Sequence, residues 1–286
     1  MAVILIDRRA HHHAVDWYQS GPSEPSGNGL TLTADDVVGI TSITIDSVLT
    51  EILHRARGGG DVVLVCHARE MGLAIPLIRG GAVRARSDAI GVLASDHETT
   101  SDGMTFPGAS AAATAPALMM PESQVTALRQ KMNQVRALGL RHVALRGCNV
   151  GSWSHALEPY REFFGCRSLS GPTLRDTYGV IPPRTIADVP QWLGTHSTGW
   201  HTFLDGVQGS QVGIATRGGE SEEHSYDIEL AGQTAAALQS WGTRHLGRPV
   251  TGSFFYHGMW STSAAPGSPK ILFIGDEAYT EHLHVV

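Results

Sequence analysis

The sequence predicts an α/β protein built on a mostly parallel sheet flanked by helices, with a C-terminal α+β half. Three observations carry this expectation. Residues 61–65 ("DVVLV") and 142–146 ("HVALR") are short unbroken runs dominated by apolar residues, the pattern of strands covered on both faces. A helix-period segment closed by glycine precedes each of them. The order strand, helix, strand between about residues 39 and 65 is a crossover, and crossovers join parallel strands.

Residues 2–7 ("AVILID") read as the first buried strand, and the Ser-, Gly- and Pro-rich residues 19–29 as a surface loop. Residues 39–46 ("GITSITID") alternate apolar and polar, as a strand does. Asp46 is then a helix cap, and Val48, Leu49, Ile52, Leu53 and Ala56 share one helical face up to the Gly58, Gly59, Gly60 stop. Between residues 71 and 114 two or three short strands are expected, in "LAIPLI", "GAVRAR" and "AIGVLAS". A helix begins near Pro121, with Val125, Leu128, Met132, Val135 and Leu138 on one face and Gly139 at its end. Pro159 divides residues 149–165 into a kinked helix or two short pieces. Beyond about residue 190, strands are expected in "QVGIATR", "SYDIEL", "GSFFYHG" and "KILFIG" around a helix in "AGQTAAALQSWGTRHLG". The domain expectation is therefore residues 1–190 for the α/β unit and 191–286 for an α+β extension or module.

Composition narrows the function classes. With 21 Lys and Arg against 27 Asp and Glu, the formal charge is -6 and no dense basic patch is present, which argues against nucleic acid as a partner. No run reaches the roughly 20 apolar residues a membrane span needs, and the N-terminal residues lack a basic segment and cleavage site. The expected location is the cytoplasm, or a particle assembled there. Three cysteines form no disulfide framework. His11, His12 and His13 lack spaced partners for a metal and read as a solvated loop; no metal or cofactor is implied.

The chemistry sits at two strand ends. His67 follows the first central run and Cys148 follows the second, and in α/β sheets sites gather at the carboxyl ends of strands. A cysteine attacks as thiolate, whereas a thiol of pKa about 8.5 is largely protonated at neutral pH. A histidine beside it takes the proton and later returns it to the leaving amine, while nearby backbone N–H groups hold the oxyanion. Cys66 alternates away from His67 and Cys166 opens the next strand, so both read as packing.

An apolar strand ending in His, followed later by an apolar strand ending in Gly-Cys, resembles the caspase-like cysteine peptidases: caspases, metacaspases, separase, gingipains and the CHAT domains. "VILIDRR", "VVLVCHA" and "GCNVG" look most like uncharacterised bacterial caspase-like domains, over roughly residues 1 to 185. The resemblance implies a caspase-like sheet and a cysteine endopeptidase, with protein or peptide as substrate. His67 is then the general acid/base and Cys148 the nucleophile. The N–H groups of Cys148 and Ala68 form the oxyanion hole, and Gly147, Arg146 and Asn149 shape the adjoining pocket. This chain departs from the family at Ala68, where glycine is usual. It departs from metacaspases at Arg146, where they carry an Asp that favours basic substrates; an inward Arg146 suits an acidic side chain, and a solvent-facing arginine is the equal alternative.

Two other readings stand beside this one. A catalytically silent caspase-like domain would serve as a structural or docking component of a larger assembly, such as a virion or injection machine, and would contact neighbouring subunits. Alternatively, His257 after "GSFFY" pairs with Cys148 in the Cys-then-His order of papain-like or peptidoglycan-cleaving peptidases. The tryptophans at 153, 192, 200, 241 and 260 read as core or interface rather than a sugar surface, and residues 275–282 ("GDEAYTEH") as an exposed turn.

Overall fold

A seven-stranded sheet organises the chain in a computed structural model. The structure describes residues 2–21, 23–69, 71–95, 97–99, 105–107, 110–181, 254–260, 271–274 and 277–286. In chain order the elements begin with β1 (Ala2–Asp7), α1 (His12–Gln19), β2 (Ser23–Pro25), β3 (Thr31–Ile40), α2 (Ile45–Arg55) and β4 (Asp61–Val65). There follow β5 (Ala68–Arg69), β6 (Gly72–Pro76), β7 (Arg84–Arg86), α3 (Ser87–Ala94), β8 (His97–Thr99), β9 (Thr105–Pro107), α4 (Ala111–Thr114) and α5 (Glu122–Ala137). The remainder are β10 (His142–Arg146), α6 (Glu158–Phe164), β11 (Ser168–Pro172), β12 (Arg175–Ile181), β13 (Phe254–Trp260), β14 (Ile271–Phe273) and β15 (Leu283–Val285).

The five central strands β3, β1, β4, β10 and β11 run parallel, and antiparallel β2 and β15 close the two edges. The architecture is thus α/β with a mostly parallel sheet, as the apolar runs predict. Three smaller antiparallel sheets, β5-β6-β7, β8-β9 and β12-β13-β14, are added to it. Of the C-terminal half, β15 joins the main sheet through β11, and β13 pairs with β12 from the N-terminal half. The strands expected in "QVGIATR" and "SYDIEL", the helix in "AGQTAAALQSWGTRHLG", and Trp192, Trp200 and Trp241 lie outside the described residues.

The two faces of the sheet differ. Val3, Leu5, Val62, Leu64, Val143 and Leu145 project to one side and pack with α2, α5 and α6 in a single apolar core. Alternation sends their neighbours to the other side, where α1 and the β12-β13 pair lie over the sheet. Cys66 and Cys166 belong to the apolar core, and burial pushes the Cys166 thiol up to about 12.

Several local expectations need correction. The strand beside β1 is Thr31–Ile40, and residues 41–44 are a turn; the alternation in "GITSITID" records the end of β3 running into the first turn of α2. The α2 cap is Thr44, whose Oγ1 accepts from the Ser47 N–H at 3.0 Å while Ser47 Oγ accepts from the Thr44 N–H at 2.9 Å; Asp46 sits inside the first turn. "AIGVLAS" is helical within α3, because a short aliphatic run packs equally well as either element and here Ile90 and Leu93 meet the core at helical spacing. Residues 19–29 are not all surface: β2 buries Glu24. His11 to His13 do not form a solvated loop, since α1 starts at His12 and His11 is buried. Residues 277–282 form a 3-10 helix that buries Tyr279. Pro159, as expected, divides its segment into two short pieces: it stands in the first turn of α6, after a separate 3-10 turn at Ser154–Ala156. Trp153 is exposed.

Candidate active site

Strands β4 and β10 are parallel neighbours in register, with Val65 opposite Arg146, and the pairing continues as the Cys66 N–H donates to Arg146 O at 3.1 Å. The strand ends that precede His67 and Cys148 are therefore neighbours at the carboxyl edge of the sheet. The approach is close at Gly147: a Cβ there would meet Cys66 O at 2.5 Å and the Ala68 Cβ at 2.6 Å, so only glycine fits.

After His67 the chain turns into the β5-β6 hairpin. The Ala74 N–H donates to His67 O at 2.8 Å, and since bonded pairs alternate along antiparallel strands, Ala68 opposite Leu73 is a non-bonded pair. Its N–H is thereby directed away from β6. Among the described residues only Met119 and Asn149 combine a side chain with positive φ, so Ala68 carries no left-handed strain from its Cβ. The Cys148 N–H makes no backbone hydrogen bond among the described residues.

Asn149, with φ 57°, turns the chain left-handed directly after Cys148, a conformation asparagine tolerates better than most residues. Its N–H donates to Leu174 O at 2.9 Å. Cys148 is half-buried, and its thiol donates to Asp176 O on β12 at 3.6 Å. Burial pushes this thiol above its ordinary pKa.

His67 is exposed and borders a cleft of about 520 Å³ whose walls also carry Asp7, Arg9, Thr44, Arg79 and Arg84. Three guanidinium groups against one carboxylate make this opening cationic. The cleft lies outside the carboxyl ends of β1 and β4, the place where open α/β sheets bind ligands.

Arg146 does not join that cleft. It is fully buried, paired through Nε with a Glu24 carboxylate oxygen and donating to Pro25 O at 3.2 Å. Period-2 alternation explains this, since Arg146 leaves β10 on the face opposite Leu145, under α1 and β12. Burial alone would raise the Glu24 carboxyl, but the Arg146 cation beside it holds the group below its usual range. Tyr18 OH donates to the same carboxylate at 2.5 Å and lies 3.3 Å from Tyr178 OH. Burial pushes the Tyr18, Tyr178 and Tyr279 phenols well up.

His257 completes this buried cluster. It is stacked on Tyr178 with ring centroids 4.1 Å apart, and its Nε2 is hydrogen-bonded to Asp176 Oδ1. Asp176 thus meets His257 through its carboxylate and Cys148 through its carbonyl.

Sequence reading does not find Glu24, Tyr18, Asp176, Tyr178 or His11. Apart from the Tyr18–Glu24 contact, six residues apart, their partners lie far along the chain, and periodicity reports only local neighbours. The one available signal is Arg146, a charge ending a strand otherwise fit for the core. Among the described residues no group of three or more His, Cys, Asp or Glu could hold a metal ion, and no helix is long and apolar enough to cross a membrane. No family model, curated protein or solved structure matches the chain.

Proposed function

We propose that the chain is a caspase-like cysteine endopeptidase with Cys148 as nucleophile and His67 as general acid/base. The observation that supports this reading is the in-register pairing of β4 and β10, whose neighbouring carboxyl ends precede His67 and Cys148, with His67 bordering an open cleft. In the reaction, His67 removes the thiol proton and the Cys148 sulfur bonds to the scissile carbonyl carbon. The carbonyl oxygen takes up the negative charge facing the Cys148 and Ala68 N–H groups. The C–N bond then breaks as His67 protonates the departing amine, and water hydrolyses the thioester. The role expected of Arg146 in substrate choice passes to Arg9, Arg79 and Arg84, whose charge suits an acidic side chain.

A second reading rests on a different observation. The Cys148 thiol already has an acceptor in Asp176 O, and burial favours its neutral form, which suits a silent domain that docks within a larger assembly. Alkylation of Cys148 by iodoacetamide across pH, in wild type and His67→Ala, separates the two. Selective labelling at an apparent pKa below about 8.5 that rises in the variant supports the peptidase. Slow labelling indifferent to His67 establishes the silent domain instead. A peptide library cleaved after acidic residues by wild type, and not by Cys148→Ser, would then identify the substrate class.

A further inference from the structure

One buried side chain has no structural explanation. His11 is 5% exposed, and neither of its ring nitrogens has a hydrogen-bond partner among the described residues. A buried polar atom left unpaired costs on the order of 1–3 kcal/mol, and this ring carries two. Helix formation does not account for the residue either. His11 occupies the N-cap of α1, where Ser, Thr, Asp or Asn would satisfy an orphan N–H, yet its side chain makes no capping bond. Its backbone is nevertheless fixed, because the His11 N–H donates to Asp7 O at 2.8 Å, at the end of β1 and one strand away from β4.

That placement sets the His11 ring edge-on to His67, with centroids 4.8 Å apart and planes at 61°. Such a separation lets a rotation of the rings close a nitrogen-to-nitrogen hydrogen bond. On its other side His11 faces Tyr178, with centroids 6.1 Å apart. His11 therefore stands between the exposed histidine of the cleft and the buried polar cluster.

We infer that His11 is the positioning residue of His67, a buried neutral imidazole whose free nitrogen accepts the His67 ring N–H and so selects one His67 tautomer. The inference rests on the dyad reading for its catalytic meaning. In the reaction the second His67 nitrogen takes the Cys148 thiol proton, and the resulting imidazolium keeps its N–H on His11; no proton passes to His11. This is the orienting part an aspartate plays in a hydrolase triad, carried out here by an uncharged group. Burial holds His11 neutral by lowering its pKa to about 3, with His67, His257 and His12 acting in the same direction. The other charged groups bordering His67 across the cleft are Asp7, Arg9, Arg79 and Arg84.

The test is nitrogen-15 NMR of the histidine rings at neutral pH in wild type, His11→Phe and His11→Asn, with His67 assigned from His67→Ala. A single His67 tautomer in wild type, both tautomers in His11→Phe, and partial recovery in His11→Asn would support the inference. Mixed His67 tautomers in wild type would overturn it, and that measurement needs no variant to fold. An unchanged single tautomer in a folded His11→Phe would overturn it as well. Cys148 alkylation profiles on the same proteins keep the two ideas apart: if His67→Ala leaves labelling unchanged, the dyad fails whatever the tautomers show. If His67→Ala shifts the profile and folded His11→Phe does not, His11 has no positioning role.

Discussion

The two faces of the central sheet solve burial in opposite ways. On one side Val62, Leu64, Val143 and Leu145 meet α2, α5 and α6 with side chains that need no partners. On the other side, behind the same strands, Arg146, Glu24, His142, Asp176 and His257 are buried, and each is held by a named neighbour. Apolar contacts are interchangeable and stabilise in proportion to area. A buried ion pair contributes little net stability, because desolvation offsets most of the attraction, but it tolerates only one geometry. The difference teaches where the molecule keeps stability and where it keeps position. His67, next to His11, and Cys148, on Asp176 O, both contact the second side.

The comparison is broken most severely at Arg146. Arg146→Ala leaves Glu24 buried without its cation and is expected to cost about 3–5 kcal/mol in denaturant unfolding. The double variant Arg146→Met with Glu24→Leu should recover most of that loss while disturbing the Cys148 labelling profile. Equal losses in the single and double variants would mean that the unpaired Glu24 charge is not the source of the loss.

On the apolar side, Leu64→Ala should cost about 2–5 kcal/mol through lost transfer energy and a residual cavity. Its effect on Cys148 labelling in the folded protein should be small, and a large one would dissolve the division between the faces.

Acid sharpens the contrast next. His142 is buried with Nδ1 and Nε2 on the hydroxyls of Ser168 and Ser170 at 2.8 and 3.0 Å, and burial, then Arg146, lowers its pKa to about 4. His11 is lowered to about 3. Both groups bind a proton more readily in the unfolded chain, whose histidines titrate near about 6.5. Stability should therefore fall as pH drops from about 6.5 towards 4, by up to about 1.4 kcal/mol per pH unit for each histidine. His142→Asn should flatten that slope, and an unchanged slope would locate the titration elsewhere.

The smallest expected change is Thr44→Ala at the α2 cap, about 1 kcal/mol, read as a lower unfolding midpoint with no change in alkylation.

What the sequence displays follows the same division. The strands at 2–7, 61–65 and 142–146 and the apolar stripes of α2 and α5 are legible because one-sided burial writes itself as period or as an unbroken run. The polar face leaves no such mark. Glu24 lies between two prolines in a stretch of loop composition, and its partner is 122 residues away. Thr31–Ile40 hides for a related reason: it stands next to the edge, alternates partly exposed residues and carries Asp35 and Asp36. At the candidate site, the placement of His67 and Cys148 after neighbouring strand ends is legible from the repeated apolar runs, whereas His11 and the cleft arginines acquire meaning only when β1, β4 and β6 are brought together.

The 122-residue span of the Glu24–Arg146 pair also orders events in time. The chain must surrender a great deal of loop entropy before those charges meet, and long-range parallel pairing is slow for the same reason. Substitutions in the buried polar cluster should therefore accelerate unfolding more than they retard folding, with Leu64 and Leu49 showing the larger influence on the folding rate. A thiol competent to react selectively would then mark a molecule that has finished folding.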